Sequence, residues 1–77
     1  MPLVQVQHVA GAFTRAQQTQ LIQEITDAFV RVGGEGIRPN VLLTMTEIQS
    51  GFWATGGVPL TIEDIERRRA ARQATPA

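Results

Sequence analysis

The chain has 77 residues, 43% hydrophobic and 18% charged, with seven basic side chains balancing seven acidic ones. Cysteine is absent and histidine occurs once, which excludes disulfide stapling and cysteine-ligated zinc and leaves few ligands for a metal centre. No metal or other cofactor is expected, and a balanced charge creates no global field toward nucleic acid or an anionic membrane.

Every basic residue is arginine, so Schiff-base chemistry on a lysine is excluded. A chain of this size buries too little core alone, and oligomerisation is the remaining remedy. No signal-peptide core or membrane-length apolar run occurs, so the expectation is a soluble, cytoplasmic protein with no membrane or nucleic-acid partner. One domain is expected over residues 1–77, with a core at 2–57 and a C-terminal helical extension at 58–77.

Residues 2–9 alternate as a strand, placing Val4, Val6 and His8 on one face and Leu3, Gln5, Gln7 and Val9 on the other. Proline suits the first position of a strand because it brings no ladder donor. With Met1 removed, Pro2 becomes a free secondary amine at the head of that strand, the only amine nucleophile available in a lysine-free chain. A turn opens at Gly11 and Ala12. Thr14 and Gln17 then form a capping box that starts a helix running to about Val32. Leu21, Ile22, Ile25, Ala28, Phe29 and Val32 make its apolar stripe, with Gln18 and the other polar residues outside it. Gly33-Gly34 stops the helix.

Residues 36–39 are expected to be a connector, because a residue before proline avoids helical geometry. Residues 40–48 form the second strand, so strand, helix and strand make a βαβ unit with two parallel strands and one bare sheet face. Phe52, Trp53 and Gly56-Gly57 belong to a short hairpin loop. Val58-Pro59-Leu60 leads to Thr61, a second cap with Asp64 three residues on, and to a final helix ending near Gln73. Residues 74–77 are expected to fray. The run Glu66-Arg67-Arg68-Arg69 with Arg72 reads first as a solvated helix face, with arginines favoured near a helix C-terminus. It offers no stacking aromatics for a nucleic acid, although one of these arginines could reach a neighbour's pocket. His8, between valines, reads as a packing residue.

Met1-Pro2 opening a strand, the early Gly11, the capped helix, a strand ending in Thr46-Glu47 and the loop from Gly51 to Gly57 resemble the 4-oxalocrotonate tautomerase family. The resemblance covers roughly residues 2 to 57. It implies an α/β (α+β) fold in which two βαβ chains share a four-stranded sheet, with three such dimers closing into a hexamer. It also implies an isomerase whose catalytic residue is Pro2, freed by loss of Met1. Burial lowers an amine's pKa by disfavouring the ammonium, so a neutral Pro2 would act as general base on a small conjugated enol or 2-oxo acid. In hydrating or dehalogenating relatives the same residue stays cationic and acts as an acid.

The resemblance also shows departures. Members of the family carry substrate-binding arginines where this chain has Ala12 and Leu42, neither of which can make bidentate carboxylate contacts. Three outcomes follow: Arg38 substitutes from the start of the second strand, the substrate is less charged, or a different chain completes the pocket in a mixed oligomer. Trp53 falls where the family places an aromatic near the proline, as an apolar wall of the pocket or an inter-subunit anchor. The substrate-binding candidates are therefore Trp53, Arg38, Leu42 and Ala12. The rival reading is a non-catalytic or partner-dependent subunit of a mixed hexamer.

Overall fold

The computed structural model describes residues 1–74; Ala74, expected to fray, is the last residue of the final helix, and the rest of that expectation lies outside the described residues. Its elements in order are strand β1 (Leu3–Val9), helix α1 (Arg15–Gly33), a 3-10 helix (Glu35–Asn40), strands β2 (Leu42–Ile48), β3 (Trp53–Thr55) and β4 (Val58–Leu60), and helix α2 (Ile62–Ala74). β1 pairs with β2 in one sheet and β3 with β4 in another. The chain is thus α+β, with a parallel β1-β2 pair and a C-terminal helix. Contacts divide the chain into two compact units, one of residues 1–7 and 13–46 and the other of residues 8–12 and 47–77.

In the first unit the Leu42 amide donates to the Pro2 carbonyl at 2.9 Å, which sets the register at the head of the parallel pair. Exposure alternates as the sequence pattern requires. Val4, Val6, Leu43 and Met45 are half-buried, whereas Leu3, Gln5, Leu42 and Thr44 are exposed on the opposite face. One sheet face is therefore covered and the other is bare, as expected for a βαβ unit.

α1 starts as the sequence predicts. The Thr14 hydroxyl accepts from the Gln17 amide at 3.1 Å, and the Gln17 side chain accepts from the Thr14 amide at 2.9 Å. The buried positions differ from the expected stripe. Val30 is 7% exposed while Val32, assigned to the stripe, is 92% exposed. Gln18, placed outside it, is buried, because its amide nitrogen donates to the Phe13 carbonyl at 3.1 Å and a satisfied amide can be buried. The connector before β2 is a 3-10 helix containing Pro39. Arg38 precedes Pro39 within this turn, and its guanidinium bonds Glu35 and Asp27 on α1. β2 accordingly begins at Leu42 rather than Asn40.

The second unit is held differently. Val9 and Ala12 are buried, at 4% and 8% exposure, and the Ala12 amide donates to the Val9 carbonyl at 3.0 Å. The Ala10 amide donates to the Ile48 carbonyl at 2.7 Å, closing the foot of the parallel pair. β3 and β4 are antiparallel, with Trp53 opposite Leu60 and Thr55 opposite Val58. Gly56 and Gly57 link them at φ 56° and 79°, the positive pair that a two-residue hairpin turn demands. The stretch expected only to lead into Thr61 is strand β4, the second arm of the hairpin. In a short two-stranded ribbon Pro59 opposes Ala54, an edge position where a missing donor is tolerated.

α2 is capped by Thr61 and Asp64. The Asp64 carboxylate accepts from the Thr61 amide at 2.9 Å, and the Thr61 hydroxyl accepts from the Asp64 amide at 3.2 Å. The Ile62 amide is satisfied by the Ser50 hydroxyl at 2.9 Å. Gly11 has φ 92°, and Ile62 lies only 3.3 Å from where a Cβ at that position would sit, so both backbone and space require glycine. No helix of the described residues is long and apolar enough to cross a membrane.

Candidate functional site

Pro2 lies immediately before β1 and is half-buried, while Met1 ahead of it is 85% exposed. Pro2 is held through its own carbonyl, which accepts from the Leu42 amide. By strand alternation its ring belongs to the half-buried face of Val4 and Val6. Leu42 therefore meets Pro2 through backbone only. Its side chain, 47% exposed, shares the bare face with Leu3, 56% exposed.

Arg38 belongs to the same unit, and its guanidinium is engaged by two carboxylates. Nε donates to Glu35 Oε1 at 2.6 Å and Nη1 to Asp27 Oδ1 at 2.9 Å. Donating hydrogen bonds to Glu35, then to Asp27, raises the Arg38 pKa still further, and the bond that Glu35 accepts from Arg38 holds its carboxyl below the usual range. With two acidic partners, Arg38 presents no net positive charge to a ligand. Its role is to tie the 3-10 helix to α1.

Ala12 and Trp53 lie in the second unit. Ala12 is buried, and its carbonyl accepts from Arg69 Nη2 of α2 at 2.9 Å. A guanidinium thus stands against the backbone of the residue where the family resemblance predicts an arginine side chain. Sequence spacing could not give this contact, which joins residues 57 apart. The only hint was the arginine run itself. Trp53 opens β3 and is 36% exposed, beside Phe52 at 75%. His8 is buried at 7%, with Nδ1 3.1 Å from the Val9 carbonyl, the environment of a packed histidine. Asp64 has its pKa lowered, first by the Thr61 amide and then by the Thr61 hydroxyl, and it also pairs with Arg67.

Among solved structures, the chain is similar to a protein of methicillin-resistant Staphylococcus aureus assigned as a 4-oxalocrotonate tautomerase. They are 26% identical, with a TM-score of 0.65 over 75% of this chain and 90% of that one. It is also similar to a 4-oxalocrotonate tautomerase homologue, at 25% identity and a TM-score of 0.68 over 77% of this chain and 90% of the other. No protein-family model and no curated protein matches the chain. Both likenesses support the tautomerase family.

Proposed function

We propose that this chain, built on the fold of the 4-oxalocrotonate tautomerase homologues, is a tautomerase whose general base is the amine of Pro2 after removal of Met1. The observation that carries the reading is the setting of Pro2. It is half-buried at the head of β1, fixed by the Leu42 amide, and preceded by a methionine that is 85% exposed. A free α-amino group titrates at about 7.7–8.0 in model peptides, and partial burial favours its neutral form. The neutral nitrogen takes the hydroxyl proton of an enol, and the electron pair closes the carbonyl. The former double bond then accepts the proton from the prolinium at carbon, which returns the amine to its starting state.

Ala12 and Leu42 stand where the resemblance implies cationic substrate contacts, so the reading favours a small conjugated enol or 2-oxo acid of low charge over a dicarboxylate. Arg38 would have to leave Glu35 and Asp27 before it could bind a carboxylate. The bare sheet face, where Leu3 and Leu42 are about half exposed, supports assembly with a second copy through that face, and a hexamer is the assembly we assign. Ketonisation of phenylenolpyruvate and of 2-hydroxymuconate by Pro2→Ala protein tests the mechanism. A loss of about 100-fold or more in kcat/KM is expected for removing a general base, and undiminished turnover removes Pro2 from the reaction.

A further inference from the structure

α2 is held firmly at one end. Thr61 and Asp64 cap its first turn, and the Ile62 amide meets the Ser50 hydroxyl. Ile62 and Ile65 are half-buried, and the Ile62 side chain lies over Gly11. Beyond Ile65 the helix changes character. From Glu66 to Gln73 every side chain is exposed except that of Arg69, so this half buries no apolar group against the rest of its unit.

Glu66, the arginines, Ala70, Ala71 and Gln73 are all strong helix formers, which explains why the helix continues past its packed turn. Propensity alone is a weak hold, because a helix as short as α2 is marginal in water without tertiary packing. Arg69 brings a hold from outside the helix. Its Nη2 donates to the Ala12 carbonyl at 2.9 Å, a contact between residues 57 apart in sequence. Ala12 is 8% exposed, so the carbonyl that meets the guanidinium belongs to a residue shielded from water. A hydrogen bond from a charged donor is about twice as strong as one between neutral groups. The second half of α2 therefore combines a helix-favouring sequence, no apolar packing and a long-range polar tie.

We propose that residues 66–73 of α2 form a strap, latched onto Ala12 by Arg69, that opens and closes as one segment. The first turn of α2 and the β3–β4 hairpin stay folded while it does so, and opening uncovers the Ala12 carbonyl. The device lies within the second unit and does not depend on the role of Pro2.

Native-state hydrogen exchange of the full chain, followed amide by amide by NMR at low urea, tests this. In the unaltered protein the amides of Ala70, Ala71, Arg72 and Gln73 should exchange through one common opening. That opening exposes little surface, so its urea dependence should be well below that of the Gly51 amide, which donates to the Leu60 carbonyl. Arg69→Met removes the donors and keeps a long, helix-favouring side chain. Exchange of the four amides should then quicken by about tenfold or more, the factor one hydrogen bond contributes. The Gly51 amide, and the Ile65 amide that donates to the Thr61 carbonyl, should keep their rates. Arg72→Met, which removes an exposed charge from the same half, should leave the four amides close to their original rates. Unchanged exchange in Arg69→Met protein, or an equal rise in Arg72→Met protein, overturns the proposal. In the unaltered protein, so does a urea dependence equal to that of Gly51, or a graded series of rates rising toward the C-terminus.

Discussion

Arg38 and Arg69 carry the same group into different circumstances. The 3-10 helix surrounds Arg38 with Glu35 and Asp27, so a lone cation near the second strand is neutralised and becomes a structural tie. On α2 the Arg69 guanidinium donates to the Ala12 carbonyl instead and ties the helix to residues 8–12. The units that hold them differ in the same way. The first is organised by the alternating faces of β1 and β2 and by the burial of Val30. The second depends on polar ties: Thr61 with Asp64, Ser50 with the Ile62 amide, and Arg69 with the Ala12 carbonyl. An arginine's availability is set by what its turn supplies, not by its distance along the chain from the expected position.

The sharpest separation of the two regions is functional. Pro2→Ala should abolish most turnover while leaving the helical circular dichroism of the chain intact, and a parallel loss of both would make Pro2 a structural residue. Val30→Ala probes the first unit. Removing two methyl groups from a side chain 7% exposed should destabilise by about 1–3 kcal/mol, measured by urea denaturation. Thr61→Ala probes the second. Loss of a cap typically amounts to about 1 kcal/mol, visible as reduced helicity and a lower midpoint.

Acid should act on α2 through the same cap. Asp64 is held below the usual carboxylate range by Thr61, so its contribution is present above the unfolded-state value of about 3.9 and is lost as pH falls through the lower folded value. Helicity measured between neutral pH and strong acid should therefore fall in the acid limb, and Thr61→Ala, which removes the hydroxyl but keeps the larger backbone donor, should flatten that dependence only in part. The smallest effect is expected for Arg38→Gln. An exposed ion-pair cluster contributes little and is screened by salt. A slightly lower Tm, with the difference narrowed at high salt and KM unchanged, is the expected result. A raised KM would return Arg38 to substrate binding.

Much of the frame was legible in the sequence because local chemistry dictates it. The Thr14–Gln17 and Thr61–Asp64 boxes and the Gly56-Gly57 turn each follow from neighbouring residues and were found where expected, whereas the alternation expected over residues 2–9 holds to Gln7 and then breaks, with His8 and Val9 both buried. What escaped depends on tertiary partners. Gln18 is buried because the Phe13 carbonyl is there to accept its amide. The Glu35–Asn40 turn is a 3-10 helix in which Arg38 bonds Asp27, eleven residues back on α1. β4 exists despite Pro59 because β3 lies beside it. The same limit applies to the site. Pro2 could be nominated from its place in the chain, whereas the Arg69 contact with Ala12 exists only once α2 has folded against residues 8–12.

A free secondary amine at Pro2 is the premise of the proposed mechanism, and the intact mass of the purified protein reads its presence directly. The prediction is a mass lower than that of the full 77-residue chain by one methionine, in a preparation that ketonises enols. A full-length mass accompanied by undiminished turnover would contradict it, because Pro2 would then be an amide nitrogen with no proton-accepting pair.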